Sequence, residues 1–381
     1  MARFVIVGNS DCRRVALFQA ALARLDLPVA PVVLWADLLD GKTALREHLC
    51  PGDIVRFEST GRDSQVEQKL LARGVAQAES EGFRFMSKTA LEEEFGEWGR
   101  IWPSRQWYLG LSSLFHELQA ESKQFGDLQF MHDLGACLTM SDKIACHAQL
   151  QDAGVVVAPT LGTVENFEVL EDNMKRKGWS RVFGKLAHGS SASGVFALQT
   201  QQGFWRAQTT VEMVEIGGET RLYNSRRPQI YETKRDIARL VNALARERLT
   251  VERWLPKAMR AGKSFDCRFV VVRGKIRHSV MRLANGPLTN LHLGNERSPV
   301  DALRQQMGEV RWHCVEDTLQ RAMSLFPSSL FAGADVAFSP SLDHHAVLEL
   351  NAWGDLLPGI LCEGRDSYEE QIRAILAIEE N

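Results

Sequence analysis

Two carboxylates and one amide lie on two apolar stretches near the carboxyl end of the chain. Glu349 and Asn351 are two positions apart in a stretch predicted to be a strand, so their side chains project from one face. Leu348 and Leu350 are expected to point the other way, into a core. Asp335 lies in a second apolar stretch, which is predicted to be the neighbouring strand. The spacing therefore predicts that the three oxygen-bearing side chains converge.

An oxygen site of this composition has a definite chemistry. Carboxylate and amide oxygens suit Mg²⁺, which keeps some of its waters and takes its remaining ligands from phosphates. Zinc is not expected, because zinc sites prefer nitrogen and sulfur ligands. Taken alone, the pattern is equally compatible with solvated polar residues at a strand end, so the rest of the chain decides between the two readings.

A glycine- and serine-rich stretch, residues 188–195, follows a predicted strand and is expected to form a hairpin turn. Its backbone N–H groups and hydroxyls could bind a triphosphate, because each donor compensates an anionic oxygen. Lys185 ends the preceding strand and Lys143 begins a helix, so each could reach phosphate as a point charge. A plain surface hairpin and solvated lysines are the alternatives for these features taken singly. His188 is expected to be structural.

Further segments carry groups that suit a nucleotide reaction. Val251–Leu255 is predicted to be a strand whose edge offers backbone N–H and C=O groups and apolar faces to adenine, although a plain buried strand would look the same. Arg268 and Arg282 belong to a predicted hairpin and could neutralise negative charge that develops during a reaction. Asn290 could ligate a metal-bound phosphate. Each polar residue, taken alone, is also compatible with surface hydrogen bonding.

The first elements of the chain predict a small doubly wound domain. Arg3–Asn9 and Val29–Trp35 have the composition of buried strands, and Asp11–Leu25 between them is an amphipathic helix. This β-α-β order is typical of a parallel sheet covered by helices. Gly8 begins a turn that resembles a phosphate-binding turn, but no Gly-x-Gly-x-x-Gly is present, so dinucleotide binding is not expected.

Three later elements are predicted to carry the groups named above. A helix begins at Ser141 or Asp142, either of which can cap it. Cys267–Val272 and Lys275–Met281 are predicted to pair as a hairpin that turns at residues 273–274, and Val310–Leu325 is predicted to be a helix.

Bulk composition limits the possible functions. The chain has 381 residues, which predicts two or three domains. The net charge of -3 argues against a nucleic-acid-binding surface, and no apolar run reaches membrane length, so neither nucleic acid nor membrane is expected as a partner. Seven scattered cysteines without a Cys-x-x-Cys pair favour free thiols in a reducing compartment, which predicts a cytoplasmic protein.

The order of these motifs, from about Met140 to Pro358, resembles the ATP-grasp superfamily. Within it, the similarity is greatest to the branch of amino-acid and peptide ligases that includes the ribosomal protein S6 glutamate ligase and the graspetide macrocyclases. The chain departs from the family pattern twice: Lys185 is followed by Leu186 rather than proline, and the loop contains Ser-Ser-Ala-Ser rather than a central glycine. The shared run comprises Lys143, Lys185 with the loop after it, Glu252 to Leu255, Asp266 to Arg268, Arg282, Thr289 to His292 with Gly294, Asp335 and Glu349 to Asn351.

The resemblance implies a fold and a domain plan. The fold class would be α/β (α+β), an ATP-grasp fold preceded by an N-terminal Rossmann-like domain. The implied domains are residues 1–136 for the Rossmann-like domain, 137–255 for the central ATP-grasp subdomain and 256–381 for the C-terminal subdomain. ATP would bind between the last two.

The resemblance also implies roles for individual residues. Arg282, Arg268 and Lys185 would be catalytic, with Arg282 stabilising a tetrahedral intermediate. Asp335, Glu349 and Asn351 would hold Mg²⁺, as two ions, with Mn²⁺ as an alternative metal. The residues implied to bind ATP are Lys143, Lys185, Gly189, Ser190, Ser191, Ser193, Gly194, Glu252, Trp254, Leu255, Lys263 and Asn290.

The implied activity is ATP-dependent ligation. A substrate carboxylate would become an acyl phosphate, which an amine or another nucleophile then attacks, with release of ADP and phosphate. An ATP-grasp-type kinase is one alternative, and a nucleotide-binding regulator without turnover is another. The implied partner is a small amino acid or a peptide with a carboxylate. The sequence does not determine the oligomeric state, although homodimers are common among proteins that this chain resembles.

Overall fold

The computed structural model describes residues 2–61, 63–289, 293–354 and 356–378. Sixteen strands among them form three sheets. No helix among these residues has both the length and the apolar character needed to cross a membrane.

The N-terminal sheet is parallel, with strand order β2-β1-β3-β4. This confirms the predicted β-α-β opening. The second strand is shorter than expected, because Trp35 already begins a helix. The strands are β1 (Phe4–Gly8), β2 (Val32–Leu34), β3 (Ile54–Phe57) and β4 (Gln129–Phe130). The helices are α1 (Arg13–Arg24), α2 (Trp35–Leu39), α3 (Ser64–Arg73), α4 (Val75–Glu81), α5 (Lys88–Glu94), α6 (Ser104–Ser122) and α7 (Leu134–Ser141), with a 3₁₀ turn at Leu45–His48.

The second sheet is antiparallel, with strand order β5-β10-β6-β7-β8-β9. Two helices bury their apolar faces against it, with Phe167 and Leu240 in the shared core. The strands are β5 (Thr160–Thr163), β6 (Arg181–Leu186), β7 (Phe196–Gln201), β8 (Phe204–Ile216), β9 (Glu219–Tyr231) and β10 (Leu249–Arg253). The helices are α8 (Lys143–Asp152), α9 (Phe167–Lys177) and α10 (Lys234–Ala245).

The third sheet is also antiparallel, with strand order β14-β13-β12-β15-β16 and β11 paired to β12. The predicted hairpin at residues 267–281 is confirmed. The strands are β11 (Met259–Arg260), β12 (Lys263–Val272), β13 (Lys275–Ala284), β14 (Glu296–Ser298), β15 (Phe331–Phe338) and β16 (His345–Asn351). The helices are α11 (Asp301–Met307), α12 (Glu309–Ser324) and α13 (Ser367–Ile375).

The two faces of β12 have different environments because side chains alternate along a strand. Phe269 and Val271 share a core with Trp312 of α12. Asp266 and Arg268 lie on the opposite face, which becomes apolar again at Val270, where the strand approaches α13. The charged part of this face is therefore a short polar region, and it carries the candidate site.

Candidate active site

Asp335 and Glu349 are directly paired across β15 and β16. Asn351 follows two positions later, opposite Gly333. The expectation that neighbouring strands carry the three side chains is confirmed. The expectation for Leu348 was wrong: the pairing register shifts at this point, Leu348 becomes half-buried, and Val347 takes the inward position.

Two arginines hold Asp335. Arg268 Nε is 2.6 Å from Asp335 Oδ1, and Arg268 Nη2 is 3.1 Å from Oδ2. Arg282 Nη2 is 3.1 Å from the same Oδ1. All three side chains are at most 8% exposed, so the ion pairs are little screened by solvent. Both candidate catalytic arginines therefore pair with the same candidate metal ligand, Asp335.

A second buried cluster lies beside the first and contains a residue that the sequence reasoning missed. Lys257 Nζ donates to Asp266 Oδ2 at 3.0 Å and to Thr289 Oγ1 at 2.7 Å. Arg282 Nε donates to Asp266 Oδ1 at 2.8 Å. Burial lowers the pKa of Lys257, while the Asp266 carboxylate opposes that shift. Lys257 follows Pro256 in a segment without periodicity, so no spacing pattern pointed to it.

Lys143 connects the glycine-serine loop to the strand that carries Glu349. Asp142, not Ser141, caps α8, because its side chain accepts hydrogen bonds from the N–H groups of Ile144 and Ala145. Lys143 Nζ donates to Gly189 O at 2.5 Å and lies 3.7 Å from Glu349 Oε2.

The ionisation of Glu349 follows from this arrangement. Burial alone would raise its pKa, but the positive charges of Lys143 and Lys185 outweigh burial and lower that pKa to about 2. The side chain is therefore a carboxylate at neutral pH, which is the form that ligates a metal ion.

The loop at residues 188–195 is a hairpin turn between β6 and β7, as predicted. Ser191 and Gly194 have φ angles of 53° and 67°, in the left-handed region. A Cβ at position 194 would lie 2.5 Å from the Leu186 side chain, so this position requires glycine. Ser190 is exposed, and Ser193 N–H donates back to Ser190 O at 2.8 Å.

His188 anchors the start of this loop. Its side chain is fully buried, Nε2 is 3.2 Å from Asp142 Oδ2, and its ring centroid is 4.1 Å from that of Tyr108. Burial lowers the pKa of His188 to about 4, despite the opposing Asp142 carboxylate, so the imidazole is neutral near pH 7. These contacts are consistent with the structural role that was expected for His188.

Lys185 and Glu252 form a buried ion pair, with Nζ 2.8 Å from Oε2. The two residues lie on the adjacent strands β6 and β10. Burial lowers the pKa of Lys185, but the carboxylates of Glu252 and Glu349 outweigh burial and leave the pKa above its ordinary value. Lys185 is therefore a permanent cation that faces both Glu252 of β10 and Glu349 of the metal-ligand strand β16.

The segment predicted to hold adenine is only partly a strand. β10 ends at Arg253, so Trp254 and Leu255 lie beyond it, where the backbone N–H of Trp254 donates to Arg181 O at 3.2 Å. Trp254 packs edge-on against Phe183, with ring centroids 5.6 Å apart. Phe183 was also missed, although its position two residues before Lys185 on one strand face could have indicated it.

One of the residues predicted to bind ATP, Lys263, is not part of this group. Lys263 lies at the start of β12 and its Nζ is 2.5 Å from Glu296 Oε1, on an exposed edge of the third sheet. Asn290 lies outside the described residues. Among the residues that are described, no three His, Cys, Asp or Glu side chains cluster closely enough to hold a metal ion.

Comparison with solved structures identifies the fold. The Chryseobacterium gregarium RiPP-associated ATP-grasp ligase, solved with ADP and a leader and core peptide, has a TM-score of 0.54 and 10% identity to this chain. The match covers 100% of this chain and 98% of that ligase. ATP-grasp ligase PsnB, solved with a phosphomimetic variant of its minimal precursor, Mg and ADP, has a TM-score of 0.52 and 14% identity to this chain. The match covers 99% of this chain and 98% of PsnB. The chain has the ATP-grasp fold.

The match to ATP-grasp structures extends to small-molecule enzymes. D-cycloserine synthetase DcsG has a TM-score of 0.57 and 12% identity, covering 98% of this chain and 100% of its own. The predicted ATP-grasp resemblance and the α/β fold class are confirmed. No family model matches the chain, and no curated protein matches it.

Proposed function

We propose that this protein is an ATP-dependent ligase that joins a carboxylate to an amine or another nucleophile through an acyl phosphate, releasing ADP and phosphate. The observation that carries the proposal is the placement of Lys143. Its ammonium lies between the glycine-serine loop and Glu349, so a group bound there contacts the second and third sheets together.

ATP would bind between those two sheets. Lys143 and Lys185 would contact its phosphates, since each is a cation directed to this space. The loop at residues 188–195 would close over the phosphates with its N–H groups and hydroxyls. Phe183 and Trp254 would form an aromatic wall for adenine beside the end of β10.

Mg²⁺ is the metal that the donor set favours. Glu349 and Asn351 present oxygen ligands on one strand face, and Asp335 adds a carboxylate from the adjacent strand. The three residues supply too few ligands for a complete shell, which agrees with a cation that shares phosphate oxygens. When bound, the metal would neutralise charge on the transferring phosphoryl group. We propose that Asp335, Glu349 and Asn351 would hold two Mg²⁺ ions.

The chain's own residues would do the rest of the catalytic work. Lys143 and Lys185 hold the phosphates in line with the substrate carboxylate, so much of the rate enhancement comes from positioning. Arg282 and Arg268 offset negative charge on the oxyanion that forms when the nucleophile attacks the acyl carbon. Both guanidiniums are held by buried carboxylates, so little reorganisation is needed at that step.

The substrate, compartment and domain plan belong to the same proposal. Peptides bound in the PsnB and C. gregarium structures favour a peptide with a carboxylate as substrate. The similarity to DcsG keeps a small amino acid as the other candidate. All seven cysteines are free, which favours the cytoplasm. We infer domains at residues 1–136, 137–255 and 256–381.

ATP turnover with Mg²⁺ against pooled amino acids and pooled acidic peptides tests the proposal, with ADP, AMP and free phosphate resolved. Stimulated release of ADP and phosphate in equal amounts is expected. ADP without free phosphate would show a phosphorylated product, and AMP would show adenylate chemistry; either result would overturn the proposed acyl-phosphate ligase.

A further inference from the structure

The ammonium of Lys257 has an acceptor for each of its N–H groups. A lysine ammonium carries three donors, and Nζ donates to Asp266 Oδ2 at 3.0 Å, to Thr289 Oγ1 at 2.7 Å and to Pro287 O at 3.4 Å. The side chain is only 10% exposed. Lys257 therefore has no donor left for ATP, and any contribution that it makes to the site passes through the groups that it holds.

The backbone beside Lys257 fixes the position of this ammonium. Ala258 N–H donates to Phe338 O, at the end of β15, at 2.7 Å. Phe265 N–H, on β12, donates to Ala258 O at 3.0 Å. The residue that follows Lys257 is thus bonded to two strands of the third sheet, so the side chain enters the cluster from a fixed point.

Asp266 is held firmly on one of its two oxygens. Its Oδ2 accepts from Lys257 and from the Thr289 hydroxyl. The direction of the second bond is settled, because the lysine can only donate to Thr289 and the hydroxyl hydrogen is left for Asp266. Only Oδ1 is left for Arg282, whose Nε donates to it at 2.8 Å.

Two arginine–aspartate pairs on the same sheet show the effect of this restriction. Arg268 is directly opposite Asp335 across β12 and β15, and Arg282 is directly opposite Asp266 across β13 and β12. Arg268 donates to both oxygens of its aspartate, which is the fork geometry that a guanidinium and a carboxylate often adopt. Arg282 reaches Asp266 through Nε at Oδ1, because the other oxygen is already occupied.

The second end of the Arg282 guanidinium reaches the candidate metal ligand instead. Its Nη2 lies 3.1 Å from Asp335 Oδ1, so Arg282 bridges the carboxylates of β12 and β15. Without Lys257, Asp266 could turn both oxygens toward Arg282 and form a fork like that of the other pair. The guanidinium would then shift toward Asp266 and away from Asp335.

We propose that Lys257 is a positioning residue for Arg282: by occupying Asp266 Oδ2, it keeps the guanidinium in the bridge between Asp266 and Asp335. The inference rests on the proposed function, in which Arg282 offsets charge on the oxyanion. A cation that is held in place before the charge develops stabilises that charge without reorganisation. Removing a group that orients the contacts of a metal ligand typically costs about 10–100-fold in affinity or activity.

NMR of the full-length protein, labelled with ¹⁵N-arginine, tests the bridge without requiring turnover. The Arg282 Nε–H signal is assigned by its absence in Arg282→Lys. In the wild-type background, Asp335→Asn should shift this signal, because Arg282 contacts both aspartates. In the Lys257→Gln background, the same Asp335→Asn change should leave the signal in place, because the guanidinium has moved to Asp266. An equal shift in both backgrounds would overturn the proposal.

Further variants separate the charge of Lys257 from its contribution to folding. Lys257→Gln should fold, because Asp266 keeps Arg282 and Thr289 as partners; Lys257→Met, which keeps the apolar stem, replaces it if it does not. Lys257→Arg keeps a cation on Asp266 and should restore the shift. Lys234→Gln is the matched control, since Lys234 is also ion-paired but exposed, and it should give the wild-type shift.

Steady-state kinetics tests the link to the reaction, with the amino-acid or peptide pool that stimulates ATP turnover. Lys257→Gln should lower kcat by about 10–100-fold and leave KM for ATP within about threefold of wild type. Lys257→Arg should recover part of kcat. A rise in KM for ATP as large as the fall in kcat, or no recovery with arginine, would indicate a purely structural lysine and overturn the proposal.

The two experiments fail in different ways. Absence of ATP turnover in the wild-type protein with every pool would remove the proposed function. The NMR comparison would still decide whether Lys257 holds Arg282 in the bridge, because it depends on neither nucleotide nor substrate.

Discussion

The buried pair of Lys185 and Glu252 allows nucleotide binding to be separated from folding. Lys185→Met keeps the apolar stem but leaves the Glu252 carboxylate, which is 7% exposed, without its partner. Removing one member of a buried ion pair costs about 3–5 kcal/mol. We expect a value near the lower end, because Lys185 is still 13% exposed and water can partly solvate the carboxylate. The single variant should therefore fold but be measurably less stable.

The double variant Lys185→Met/Glu252→Gln removes the uncompensated charge. Its stability should return to within about 1 kcal/mol of wild type, because replacing both members of a buried pair is close to neutral. Its nucleotide affinity should stay low. Loss of one charge-assisted hydrogen bond to phosphate is about 1.5–3 kcal/mol, or roughly ten- to a hundredfold in Kd.

Urea unfolding measures the first effect, and calorimetric titration with a non-hydrolysable ATP analogue and Mg²⁺ measures the second. Lys234→Met is the matched control, since Lys234 forms an exposed pair with Glu171 and should change stability by less than about 1 kcal/mol. Wild-type nucleotide affinity in the double variant would show that Lys185 contributes to folding stability but not to nucleotide binding. A double variant as unstable as the single one would refute the uncompensated-charge argument.

Three further outcomes are expected. Glu349→Gln should abolish ATP turnover with little change in Tm, because it removes a metal-ligand charge but keeps the side-chain volume; full activity would contradict the metal assignment. Burial raises the pKa of Glu247 to about 8 from its ordinary value of 4.5, so the folded state keeps a proton that the unfolded state releases. Wild-type stability should therefore fall relative to Glu247→Gln as pH rises from about 4.5 through 8, and a pH-independent difference in Tm would argue against this. Gly184→Ala should destabilise by about 1–3 kcal/mol in urea unfolding, since the new Cβ would lie 2.1 Å from the Phe196 ring, and Phe196→Leu should recover part of that loss.

Periodicity and turn chemistry carried the prediction of the third sheet. Alternation along Val347–Asn351 predicted the common face of Glu349 and Asn351, and the apolar stretch around Asp335 predicted the neighbouring strand. The two stretches were predicted to be neighbouring strands because pairing in one sheet lets each stretch bury its apolar face. The error at Leu348 arose because a register shift of one residue leaves no mark in an alternating pattern.

Lys257, Phe183 and the contact between Gly333 and Arg268 were not predicted. Lys257 is bonded to Thr289, which lies far along the chain. Gly333 matters only because Arg268 crosses over it from another strand. Single residues of common types carry no local signal of such partners, so only the assembled sheet shows them.

The sequence by itself determined which residues carry charge, which stretches alternate and where the glycine-serine turn occurs. These are local properties, set by backbone conformation and by the burial of apolar faces. The tertiary structure alone decided that the two arginines pair with Asp335 and that Lys143 bridges the loop and Glu349. It also decided that Arg268 Nη1 and Asn351 Nδ2 are buried without an acceptor among the described residues. Ion pairs and hydrogen bonds form between groups that are close in space. Strand order and register determine which groups are close, and both exist only once the sheets have formed.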